Sequence, residues 1–114
     1  MRIQFVAAPQ DFGETLGPLP DGAKQVASGA LDFAMLFVRA QSELKKRFPQ
    51  LRDRLVSNGM LWVAWPKKTS GVESDLSEGI VRSIGLDAGL VDVKVCAVDN
   101  TWSGLKFVRR LKDR

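Results

Sequence analysis

Between Leu31 and Val38 the chain reads LDFAMLFV, an apolar run broken by one aspartate. A run without polar alternation suits a strand covered on both faces, as inside a parallel sheet. Parallel strands need crossover connections, and helices are the usual crossovers. The sequence that follows supplies one. Leu44, Phe48, Leu51 and Leu55 recur at helical spacing and lay one apolar stripe along a single face. Pro49 falls inside that stripe, so the helix either kinks there or two short helices meet with Pro49 in the first turn of the second. Ser57-Asn58-Gly59 reads as its C-terminal stop.

Met60 to Trp65 reads as another buried strand, closed by Pro66. A second helix is expected from Asp75, the N-cap, with Glu78 completing a capping box. Leu76, Ile80 and Ile84 lie along its inner face, Gly89 ends it, and Gly85 is a weak point near the end. Val91 to Val98 alternates as a strand, Asp99-Asn100 turns, and Leu105 to Leu111 is an antiparallel closing strand. Upstream, Ile3 to Ala8 is a strand closed by Pro9, and Ala23 to Ser28 a weak strand near an edge. The turn-rich stretch between them, Asp11 to Pro20, has room for one helical turn at Phe12 to Leu16.

Strands separated by helices of this length imply right-handed crossovers. The expected class is α/β: a mostly parallel sheet with helices packed on it, ending in an antiparallel hairpin. The 114 residues suffice for one core, so a single domain over 1–114 is expected.

Composition then removes chemistry. The chain has no histidine, no tyrosine and one cysteine. Histidine-based acid–base catalysis, histidine-ligated zinc or haem, thiolate zinc and iron–sulfur clusters all drop out. We assign no catalytic residue and no metal ligand, and favour a binding or regulatory protein over an enzyme. The lone Cys96 reads as a small buried residue. It cannot close an internal disulfide, no stretch approaches the roughly 20 apolar residues of a membrane helix, and the N-terminus is too short for a secretory leader. A cytoplasmic protein off the membrane is expected.

Charge alternates by segment. Residues 39–68 carry eight basic and two acidic groups, and 100–114 five and one; residues 1–38 carry two basic and four acidic, and 73–99 two and six. The net +4 is therefore no uniform cationic surface.

Two loops hold the candidate sites. "WPKKTSG" leaves the carboxyl end of a buried strand, where ligands of open α/β sheets bind. Trp65, Lys67, Lys68, Ser70 and Gly71 there could hold a small phosphate or carboxylate, or a protein partner. The plain alternative is a solvated connection with Trp65 in the core. "DNTWSG" offers Trp102 and Ser103 as a stacking surface or docking anchor, against a turn whose tryptophan folds over the sheet. The two loops could lie at opposite ends of the sheet. Lys106, Arg109 and Arg110 are the best nucleic-acid candidates, since the basic groups of the first helix only flank its apolar stripe. Sheet edges could support a homodimer, and nothing in the sequence selects one.

The strings "GMLWVAWPKKTSGVESDLSEGIVRSIGL" and "GLVDVKVCAVDNTWSGLKFVRR" resemble the C-terminal half of a bacterial family described only as a domain of unknown function, over most of residues 31–110. The strand–helix order is also similar to the second half of class I methyltransferases, which implies a truncated Rossmann-like fold. On that resemblance the closing strand, 105–111, inserts between the strands at 60–65 and 91–98. Methyltransferases that bind S-adenosylmethionine carry a glycine-rich loop after the first strand and an acidic residue after the second. Here Pro9 and Gln10 stand in the first place, and Ser28-Gly29-Ala30 brings no carboxylate to the other. No cofactor is expected, and a degenerate S-adenosylmethionine-dependent methyltransferase-like protein is the alternative reading.

Overall fold

The computed structural model of the protein describes residues 1–9 and 22–113. The expected helical turn at Phe12 to Leu16, and Gln10, lie outside these residues. Six strands form one sheet: β1 (Arg2–Val6), β2 (Lys24–Gln25), β3 (Leu31–Phe37), β4 (Leu55–Pro66), β5 (Leu90–Ala97) and β6 (Trp102–Arg109). Helix α1 (Gln41–Arg54) joins β3 to β4, and α2 (Glu78–Asp87) lies between β4 and β5. The sheet order is β2-β1-β3-β4-β6-β5. The first four strands are mutually parallel, while β6 runs antiparallel between β4 and β5. The closing strand therefore inserts where the methyltransferase resemblance implied.

Both helices cover one face. Leu44, Phe48 and Leu51 of α1 and Val81 of α2 pack on Leu61, Val63, Trp65, Leu105 and Phe107. Phe48 and Phe107 meet edge to face, centroids 5.2 Å apart. Fully burying side chains of this size contributes roughly 1.5–3 kcal/mol each. On the other face Met35, Phe37, Ala64 and Trp102 form a second cluster, with Phe5, Phe33, Trp62 and Val98 half-buried around it. The unbroken hydrophobicity of LDFAMLFV follows, since both sides of β3 are covered.

Of the two readings of Pro49 the single helix holds, and α1 runs through it to Arg54. Local expectations fail at three places. Ser57-Asn58-Gly59 does not stop α1, because β4 already begins at Leu55. These residues occupy the irregularity between the pairs Leu31↔Leu55 and Phe33↔Met60. A Cβ on Gly59 would lie 3.0 Å from the Leu31 carbonyl oxygen, so that turn-like triplet serves a close strand contact.

Asp75 does not cap α2. Ser77 does, accepting from Ile80 N. Asp75 instead caps the other helix: its Oδ1 accepts from Gln41 N at 2.8 Å, at the start of α1, where Ala40 has no capping side chain. Gln41 Nε2 donates back to the Asp75 carbonyl at 3.0 Å, and Ser74 Oγ donates to the Arg39 carbonyl at 2.7 Å. Residues 74–75 thus tie down the start of α1.

Gly85 is no weak point. A Cβ there would fall 2.1 Å from Phe107 Cε1, so this glycine lets α2 approach β6. Gly89, at φ +94°, takes the left-handed turn expected after the helix.

Candidate functional site

The chain passes from β1 to β2 on one side and then to β3 on the other, so the order reverses between β1 and β3. Beyond the carboxyl ends of those two strands a cavity of about 340 Å³ opens. Ala7, Ala8 and Pro9 line it from the end of β1, and Phe37 and Arg39 from the end of β3. Glu43 of α1 and Trp102 of β6 complete the wall. Ligands of open α/β sheets bind at such a reversal.

Its groups divide by character. Phe37 and Trp102 are buried and stand edge to face at 5.1 Å, which fixes one wall. Arg39 is exposed, and its guanidinium has no hydrogen bond or ion pair among the described residues. Glu43 turns back over the strand end, its Oε1 accepting from Arg39 N at 3.3 Å. The rim therefore offers one cation and one carboxylate beside an aromatic wall. Ala7 has φ +59°, the left-handed region that a side chain rarely adopts.

The two loops singled out in the sequence lie at the same end of the sheet, because β6 runs antiparallel to β4. Lys67 N donates to the Thr101 carbonyl at 2.8 Å and joins them directly. Their tryptophans nevertheless part. Trp65 and Trp102 are both buried, Trp65 under the helices and Trp102 on the opposite face. Ser103 is half-buried, and in the ladder it pairs with Trp65 on β4 and Ala97 on β5.

Ser70 is consumed locally. Its hydroxyl donates to the Lys67 carbonyl at 2.6 Å and accepts from Val72 N at 3.2 Å, while Gly71 takes φ +81°. Asp99 holds the other loop, its Oδ1 accepting from Thr101 N and Trp102 N, both at 2.8 Å. The ammonium groups of Lys67 and Lys68 have no partner among the described residues. Lys68 and Arg39 line a second, open hollow of about 610 Å³, where Glu73 and Asp75 offset their charge.

The basic closing strand gives no single cationic face. Lys106 pairs with Trp62 on the face away from the helices. Arg109 instead donates to the Arg52 and Leu55 carbonyls, at 2.7 and 2.6 Å, closing the C-terminus of α1. Arg110 Nε is buried with no hydrogen-bond partner among the described residues.

Sequence reading missed Ala7, Ala8, Phe37, Arg39 and Glu43. Val38-Arg39 closing a buried strand carried a signal, but the reversal point appears only once the strand order is known.

The methyltransferase resemblance noted in the sequence implies an adenosyl cofactor, and the described residues of the crevice fit one only in part. Ala7 makes the left-handed turn that a glycine would make after β1. No residue of β2 or of the stretch after it lines the cavity, and that stretch brings no carboxylate before Asp32. Among the described lining residues none supplies the ribose acceptor that the methyltransferase resemblance implies.

No family model and no curated protein matches the sequence, so the resemblance to the bacterial family of unknown function stands unsupported by any family match. Solved structures do match. The magnesium protoporphyrin IX methyltransferase of Synechocystis PCC 6803 with bound SAH is similar at TM-score 0.61 and 15% identity, over 89% of this chain and 57% of that one. The Methanococcus jannaschii fibrillarin pre-rRNA processing protein gives 0.59 and 11%, over 95% and 66%. The ribosomal protein L11 methylase of Lactobacillus delbrueckii subsp. bulgaricus gives 0.53 and 14%, over 73% and 38%. The chain thus spans between 38% and 66% of the length of these proteins. At such identities the likeness establishes the fold: a truncated, Rossmann-like methyltransferase architecture ending in an antiparallel hairpin. No helix among the described residues is long and apolar enough to cross a membrane.

Proposed function

We propose that this chain is a non-catalytic binding protein of the methyltransferase fold, taking a small ligand with an amino-acid head and an apolar body at the β1/β3 crevice. One observation carries this: the cavity at the chain reversal has on its rim an Arg39 guanidinium with no partner among the described residues, and a Glu43 carboxylate. A guanidinium and a carboxylate side by side complement the carboxylate and ammonium of a zwitterionic head. Phe37 and Trp102 offer the apolar wall for the remainder. Adenosyl amino acids have this make-up, and structures similar to this one hold SAM or SAH.

With no acceptor for ribose hydroxyls among the described residues of the crevice, the body is held chiefly by packing, which favours reversible, weak occupancy. Among the described residues of the wall Glu43 is the only proton-accepting side chain, and it answers the ligand's ammonium in this scheme. A regulatory or carrier role follows more naturally than turnover.

Calorimetric titration with S-adenosylhomocysteine tests the reading. Saturable one-to-one binding with Kd near 1 mM or tighter is expected, weakened about tenfold or more by Arg39→Ala and by Glu43→Gln. A flat titration at several times that concentration removes the site. Methyl transfer from S-adenosylmethionine to any acceptor, abolished by the same substitutions, removes the non-catalytic half.

A further inference from the structure

The two edges of the sheet are built differently. β2 ends one side with only two residues, Lys24 and Gln25, both exposed. An edge so short and polar offers little to another strand. β5 ends the other side with eight residues. Val93 and Val95 on it are 53% and 47% exposed, among the most exposed large apolar side chains of the described residues. A long apolar edge is what soluble proteins normally cover, shorten or charge.

Pairing within the hairpin fixes which groups β5 presents. Val98 N donates to the Trp102 carbonyl at 2.9 Å. Antiparallel alternation from that bond turns the N–H and C=O of Cys96 and Lys94 toward β6. Those of Val95 and Ala97 then face the open edge. The irregularity at Asp92/Lys94 leaves Val93 without a partner on β6 and ends the regular edge on that side.

We propose that β5 pairs antiparallel with β5 of a second copy of this chain, about a twofold axis through Val95, giving a continuous twelve-stranded sheet from two six-stranded ones. The occupant is selected by self-complementarity. Centred on Val95, the pairing sets valine on valine, Val93 opposite Ala97 of the second copy, and Lys94 opposite its Cys96. Apolar residues meet apolar ones and no like charges are opposed. Centring on Lys94 would set two ammonium groups face to face, and centring on Val93 would fall on the irregularity. A twofold contact closes on itself, so the edge is consumed rather than propagated into fibres. The crevice between β1 and β3 lies several strands away and takes no part.

Sedimentation equilibrium of the 114-residue chain at about 100 µM is the first test, with dimer the expected species. Val95→Lys should return it to monomer; because Val95 is half exposed, its circular dichroism should stay unchanged, and its unfolding midpoint should match that of wild type diluted until it is monomeric. Lys94→Cys probes the register. Across the proposed axis its thiol faces Cys96 of the second copy in a close, non-hydrogen-bonded pair, so mild oxidation should give a covalent dimer on a non-reducing gel. The wild-type chain, with Cys96 opposite lysine, should not cross-link. A monomeric wild type, which would leave the edge to a strand of some other protein, overturns the proposal. So does a dimer that survives Val95→Lys, or a wild type that cross-links while Lys94→Cys does not.

Discussion

The amino and carboxyl ends of the sheet both collect cations, and they use them in opposite ways. At the amino end every arginine of a set of four is engaged by the chain's own carbonyls. Arg2 reaches Ala30 and Ser28 at 2.7 and 2.9 Å, and Arg54 reaches Gly29 at 2.9 Å. Arg52 reaches Ala88 at 2.9 Å, and Arg109 closes α1 through Arg52 and Leu55. At the carboxyl end Arg39, Lys67 and Lys68 have no side-chain partner among the described residues. Guanidinium groups with several donors each suit the first role, since loop and helix-end carbonyls otherwise go unsatisfied. Counting positive charges along the sequence therefore misplaces function. The informative cation is the one whose head the fold leaves unused.

The sharpest way to break this contrast is to remove one cation from each end. Arg109→Ala leaves the Arg52 and Leu55 carbonyls half-buried without their charged donor and should cost about 2 kcal/mol. Lys68→Ala, at an exposed and partner-free position, should stay within about 0.5 kcal/mol. Urea midpoints of the two variants measure the difference directly. Equal losses would show that the amino-end arginines are not structural ties, and would reopen Arg109 to a partner such as nucleic acid.

The same contrast explains what the sequence could reveal. Element order and sheet class were legible because they rest on hydrophobic periodicity, as in LDFAMLFV and the Leu44–Phe48–Leu51 stripe; the inserted closing strand came only with the methyltransferase resemblance. The misreadings all came from residues whose local signal was borrowed by a distant element. Asp75 looks like the cap of the helix beside it and caps the one before it. Gly85 looks like a helix breaker and makes room for Phe107, far along the chain. Of the residues lining the crevice, only Trp102 was among those singled out in the sequence. Arg39 and Glu43 stayed hidden because a reversal of strand order is a property of topology, with no residue pattern of its own.

A smaller effect of opposite sign is expected where the crevice meets β1. Ala7 holds a left-handed backbone that costs a residue with a side chain about 1–2 kcal/mol. Glycine removes that strain but frees the unfolded chain, by about 0.4–1 kcal/mol. Ala7→Gly should therefore stabilise by about 0.5–1 kcal/mol, read as a higher urea midpoint. A stabilised variant places stored strain at the ligand-binding end, while the amino end spends its side chains on relieving unsatisfied groups. A destabilised one means that the Ala7 side chain contributes packing that outweighs its backbone cost.

The smallest effect separates two kinds of tie within the structural half. Carbonyl acceptors do not titrate, so the arginine clamps should persist into acid. Near the start of β5, however, Asp92 accepts from Arg82 Nε at 2.8 Å, and Arg82 also reaches Glu78 at 3.0 Å. The hydrogen bond from Arg82 holds the Asp92 carboxyl below its ordinary range, against the opposing effect of desolvation. A lowered folded value means that the unfolded chain takes up a proton first. This contribution is therefore complete above the unfolded value, about 3.9, and is lost as pH falls through the folded one. Unfolding midpoints of wild type and Asp92→Asn should differ at pH 6 and converge as pH falls through the lowered folded-state value of Asp92. The ion pair is solvent-accessible, so the gap should be modest and should shrink in high salt. A gap that persists unchanged into acid would mean that Asp92 acts through packing, leaving the arginine–carbonyl clamps as the ties that hold this end of the sheet.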